Sequence, residues 1–116
     1  MDIDVRLNIL LENDVITEEV YNRLKEVINR LKDKFNIEIT EENGGMFITH
    51  LSAAITRVND GKPLDSIDES VIEQIKLETS YNRALEIMET INNIFGVIFP
   101  KEEEVFIITH LCTILS

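Results

Sequence analysis

The sequence predicts an all-α fold, a bundle of about five helices joined by short loops. Three observations predict it. Apolar residues recur at three- and four-residue steps, the spacing that lines one face of a helix. Only 4 Gly and 2 Pro interrupt the 116 residues, so long helices are allowed and a turn-rich β fold is not suggested. Capping residues then bound the periodic segments where helices should begin and end.

In chain order, Val5 to Leu11 reads either as a short helix or as an extended lead-in. Residues 17–35 carry the clearest pattern: Val20, Leu24, Val27, Ile28, Leu31 and Phe35 form a stripe, with Thr17 as the cap and Glu18 and Glu19 in the first turn. Thr40 opens the next helix, which runs to about Val58 on Phe47, Leu51, Ala54, Ile55 and Val58; Asn59, Asp60, Gly61 and Pro63 end it. Its Gly44-Gly45 pair marks either a close helix crossing or a frayed first turn. Asp68 caps a helix with Val71, Ile72 and Ile75. Tyr81, Ala84, Leu85, Met88, Ile91 and Phe95 share a face of the following helix, and Gly96 stops it. Pro100 begins the last helix, which runs through Ile108 and Leu111 with Glu102, Glu103 and Glu104 at its positive end.

The length suits a single domain spanning 1–116 with its own core. The net charge is −11, without a Lys/Arg cluster. Such a surface repels phosphate backbones and anionic membranes, so neither nucleic acid nor membrane is an expected partner. Cys112 is the single cysteine and lies in an apolar segment, which reads as a buried thiol in a reducing cytoplasm. The N-terminus is too acidic for a signal peptide, and no stretch is apolar enough to span a bilayer.

Both histidines fall in copies of one tetrapeptide, Ile-Thr-His-Leu, at 48–51 and 108–111. Residues seven apart share a helix face. His50 is thereby associated with Arg57, and His110 with Glu103. An ordinary imidazole keeps a neutral, nucleophilic nitrogen near cytosolic pH, and an arginine offers a planar fork to phosphoryl oxygens. A phosphorylatable histidine with an arginine clamp is one reading. A structural histidine bonded to a backbone carbonyl is the other. No metal site or cofactor is expected, because HExxH, CxxC and a ligand doublet four apart are all missing. The motifs of serine hydrolases and of nucleotide binding are missing too, so the chain is not read as an enzyme. The Glu102–Glu104 run reads as a solvated first turn.

Taken together, "HLSAAITR" (50–57), "YNRALEIMETINNIFG" (81–96) and "FGVIFPKEEEVFIITHL" (95–111) resemble the PTS regulation domain, or PRD, of bacterial sugar-utilisation regulators. The resemblance is strongest over 40–115. It implies a helical bundle that dimerises and takes phosphoryl groups on two histidines from HPr or an enzyme II component. His50 and His110 match those positions, Arg57 matches a phosphoryl or histidine support, and Glu103 matches an orienting carboxylate. Many family members have Asp before the first histidine, whereas Thr49 stands here and Thr109 precedes the second. Typical family members also come as pairs fused to RNA- or DNA-binding domains, whereas one copy is present here. The implied function is a cytoplasmic, stand-alone regulatory module acting through a separate partner protein. The alternative is an interaction domain that keeps the fold without phosphorylation.

Overall fold

The computed structural model describes residues 2–116. Among them are six α-helices and no strands: α1 (Ile3–Glu12), α2 (Glu18–Phe35), α3 (Glu41–Asp60), α4 (Glu69–Lys76), α5 (Tyr81–Phe95) and α6 (Lys101–Leu115). The helix beyond the five expected is α1, the segment for which the sequence left two readings. The chain divides into two units, 1–56 and 57–116, with the division falling inside α3.

In the first unit, the Asp2 side chain caps α1 by accepting from the Val5 N–H at 3.1 Å. Ile3, Val5, Leu7 and Ile9 alternate with polar residues, which is why an extended reading was open. The helix buries only Ile3 and Leu7, four apart, and leaves Val5 and Ile9 more than 40% exposed, at 42% and 44%. It packs against α2. Thr17 caps α2 through the Val20 N–H, and Val20, Leu24, Val27, Leu31 and Phe35 are buried. Asn36 ends it with φ 56°, a left-handed residue whose short polar side chain tolerates the turn. Thr40 and Asn43 then cap α3 reciprocally. The Thr40 hydroxyl accepts from the Asn43 N–H at 3.2 Å, and the Asn43 side chain accepts from the Thr40 N–H at 2.7 Å.

The first turn of α3 is not frayed, since Gly44 N–H bonds Thr40 C=O at 2.8 Å. Gly44 and Gly45 are both buried. A Cβ on Gly44 would stand 2.6 Å from Ile39 Cγ2, and one on Gly45 would stand 3.0 Å from the Arg6 and Glu41 side chains. The glycine pair therefore marks a close approach.

In the second unit, α4 and α5 both pack on α6. Asp68 caps α4 by accepting from the Ser70 N–H at 2.9 Å. Ile72 is buried while Val71 is exposed. The α5 stripe buries Ala84, Ile87, Met88, Ile91 and Ile94, and Gly96 closes the helix at φ 68°. Pro100 stands at the N-cap of α6. The buried residues of α6 include Val105, Ile107, Ile108, Leu111 and Cys112, and also Glu103.

Candidate functional site

His50 lies on α3 and is exposed; His110 lies on α6 and is half-buried. Each belongs to its own unit, and each unit also holds an ion pair.

Next to His50 in sequence, the Thr49 hydroxyl accepts from Arg6 Nη1 at 2.7 Å. The rest of the Arg6 guanidinium faces Glu41: Nε donates to Oε2 at 2.8 Å, and Nη2 donates to Oε1. Arg6 comes from α1 and Glu41 from the first turn of α3, where its charge also suits the helix dipole. A side chain on Gly45 would crowd this pair. Sequence reasoning missed Arg6, because 35 residues separate it from Glu41 and no spacing rule joins them. Its one signal is that it is the only basic residue among the first 22. The bonds from Arg6 hold the Glu41 carboxyl below the usual carboxylate range and raise the guanidinium.

In the second unit, Arg57 and Glu103, the two supporting residues expected from the sequence, bind each other. Arg57 Nε donates to Glu103 Oε2 at 2.7 Å and Nη2 donates to Oε1 at 2.8 Å, a bidentate pair. Glu103 is 2% exposed while the Arg57 side chain keeps 32%. The expectation of a solvated first turn is thus corrected at Glu103, which a cation from the end of α3 draws into the interior. Glu102 and Glu104 are half-buried, and burial raises the Glu104 carboxyl. Arg57, Val58, Lys62, Pro63, Ile98 and Pro100 line a cavity of about 310 Å³ over this pair. Cys112 is buried, and burial followed by the nearby Glu78 charge pushes its thiol up, away from a reactive thiolate.

Acid should act on stability in two opposite steps. The Glu104 carboxyl has a raised folded pKa, so its burial penalty is present at neutral pH and is relieved as the pH falls through that value. Glu41 and Asp68 have lowered folded pKa values, from Arg6 and from the Ser70 N–H respectively. Their contribution is present above the usual carboxylate range and is lost as the pH falls through their folded values. Urea midpoints from neutral to acid pH should therefore show a small gain and then a decline. Glu41→Gln should flatten the decline, and an unchanged slope would contradict the assignment.

Among the described residues, no three of His, Cys, Asp and Glu come together as metal ligands. No helix there is long and apolar enough to cross a membrane.

The described residues form an all-helical domain with one histidine on α3 and one on α6. Residues 25–113 match the PRD domain family, and the chain belongs to it. That family is associated with phosphorylation of regulators under phosphotransferase-system control. The chain is also similar to "Uncharacterized protein YhfY" of Escherichia coli (strain K12), with 21% identity over 108 residues, covering 93% of this chain and 90% of that protein. No solved structure matches it.

Proposed function

We propose that this protein is a regulatory module of bacterial sugar-utilisation control, reversibly phosphorylated on His50 and His110 by HPr or an enzyme II component. The observation that carries the reading is that, in a PRD chain, both histidines reach the surface, His50 fully and His110 in part. In each transfer, the N–P bond of the donor phosphohistidine breaks and its electron pair stays on the donor nitrogen. The lone pair of the acceptor imidazole forms the new N–P bond. The acceptor ring then gives up its N–H proton to water, and the donor ring, left with the electron pair of the broken bond, takes one proton from water and leaves as neutral imidazole, so the protons balance. No cofactor enters, and the protein is a substrate of the relay rather than an enzyme.

Each phosphoryl group adds about −1.5 to −2 charges to a chain already at −11. In a homodimer, that charge would change how the subunits dock and so report sugar status to a separate output protein in the cytoplasm. Incubation with enzyme I, HPr and phosphoenolpyruvate should add the mass of one HPO₃ group per site, labile to acid. His50→Ala and His110→Ala should each remove one adduct. No adduct from HPr or enzyme II components, while a known acceptor is labelled, would overturn the reading.

A second reading is favoured by Thr49, which accepts a hydrogen bond from Arg6 where many relatives carry Asp. It makes the chain an interaction domain without phosphorylation. In that case the double histidine-to-alanine variant should hold its partner as the wild type does, and loss of the partner would exclude it.

A further inference from the structure

The two histidine helices match beyond the shared tetrapeptide. Counted from the first residue of each helix, Glu41 in α3 and Lys101 in α6, the histidine is the tenth residue in both. Four residues earlier stands a large apolar side chain, Met46 in α3 and Phe106 in α6. Four before that stands an acid, Glu42 and Glu102 respectively. Burial repeats in the same register: residues 47, 48, 51 and 52 are buried on α3, and so are 107, 108, 111 and 112 on α6. Met46 is 59% exposed and Phe106 50%.

Single exposed apolar residues are ordinary on protein surfaces. Two of them one helical turn before the two histidines, at the same distance from the helix start, are a repeated arrangement. Residues four apart lie along one side of a helix, and side chains lean towards its N-terminus, so each histidine leans over its apolar neighbour. Each helix thus presents a row: acid, apolar anchor, histidine.

We infer that Met46 and Phe106 are docking anchors, one for each histidine, for a phosphohistidine-bearing donor protein whose phosphoryl group is bordered by an apolar patch and a basic rim. This rests on the phosphorelay reading above. The donor's chemistry follows from the row. The acids of a chain at −11 repel a phosphoryl group and attract a basic rim, which makes approach electrostatically selective. Aromatic and methionine side chains are the apolar groups enriched at interface centres, where a few anchors dominate affinity. Because the two rows have the same spacing, one donor surface serves both histidines.

Two phosphoryl donors separate docking from chemistry. Phosphoramidate, a small molecule, labels an accessible imidazole without needing a protein surface. Phospho-HPr and phospho-enzyme II components need one. Phe106→Ala should slow labelling of His110 by the protein donor roughly tenfold at sub-saturating donor, leave His50 unaffected, and leave phosphoramidate labelling of both unchanged. Met46→Ala should do the converse, and Phe106→Leu should recover most of the rate. Circular dichroism checks that these surface variants fold. Wild-type rates in both alanine variants would overturn the anchors while leaving the phosphorelay intact. A parallel fall in phosphoramidate labelling would also overturn them, by showing an effect on the imidazole itself. If phosphoramidate labels the wild type and no protein donor does, the relay and the anchors fall together. If Phe106→Ala changes only the oligomeric state, the row belongs to a second copy of this chain, and the inference fails.

Discussion

Arg57→Ala should lower the unfolding free energy by about 3 kcal/mol, because it strands a buried carboxylate. Glu103 is 2% exposed, so after the substitution its charge has neither its bidentate partner nor enough water. The value sits at the lower end for broken buried pairs because Arg57 itself is 32% exposed and part of the attraction is already screened. For a chain of 116 residues this corresponds to a fall in Tm of about 10 °C. Glu103→Gln should cost less. The charge it leaves behind is on Arg57, whose side chain reaches solvent. Replacing both, Arg57→Met with Glu103→Leu, should restore most of the loss, since a well-packed apolar pair avoids the desolvation cost of two ions. Urea denaturation with a double-mutant cycle checks all three. Equal losses in Arg57→Ala and Glu103→Gln would mean that burial of the carboxylate is not what makes the pair matter.

This bears on how phosphorylation data should be read. If Arg57→Ala lost labelling, the loss could reflect a loosened second unit as readily as a missing phosphoryl contact. The double apolar variant separates the two. It keeps the packing and removes both charges, so failure of labelling there marks the Arg57–Glu103 pair as needed for the transfer itself rather than for the fold.

The Arg57–Glu103 pair also shows where sequence reading runs out. Both residues stand as charged positions at helical spacing from the histidines, and the resemblance implies that both support them. What spacing along one helix cannot reveal is a bond across 46 residues. First-turn acids ordinarily face water, so nothing local marked Glu103 as buried. Arg6 and Glu41 escaped for the same reason. The α2 stripe, by contrast, was legible residue by residue, because an amphipathic helix writes its own burial pattern. Of its six expected apolar positions, Ile28 alone is half-exposed. Caps at Thr17, Asp68 and Gly96 were legible because capping is also local. The start of α1 was ambiguous because a two-residue alternation and a four-residue recurrence coexist there. Asp2 as a cap, with Ile3 and Leu7 buried, settles it for a helix.

Gly44→Val should destabilise the first unit by about 2 kcal/mol, against the direction that helix propensity alone would give. Glycine is the least favourable residue in a helix interior apart from proline, by about 1 kcal/mol relative to alanine, so most replacements on an exposed face stabilise. Here the new Cβ would stand 2.6 Å from Ile39 Cγ2, a separation at which something must move. Cγ2 is bonded directly to the Ile39 Cβ, so it cannot swing aside as the tip of a long side chain could. Ile39 is 4% exposed and Gly44 is buried, which leaves no adjacent solvent to receive either group. Overpacking of this kind costs about 1–3 kcal/mol, and the two methyls of valine add to the first contact. Gly44→Ala should fall between the glycine and valine chains, with its propensity gain offset by the same contact. The compensating change is Ile39→Leu, since leucine has a single γ carbon and can leave the Cγ2 position empty. Gly44→Ala should therefore be less harmful, or favourable, in the Ile39→Leu background, with a coupling of about 1 kcal/mol between the two positions. Additive effects of the two substitutions would show that Ile39 is not what the glycine accommodates. The close approach would then have to be assigned to Arg6 and Glu41 beside Gly45, where a Cβ meets side-chain tips at 3.0 Å.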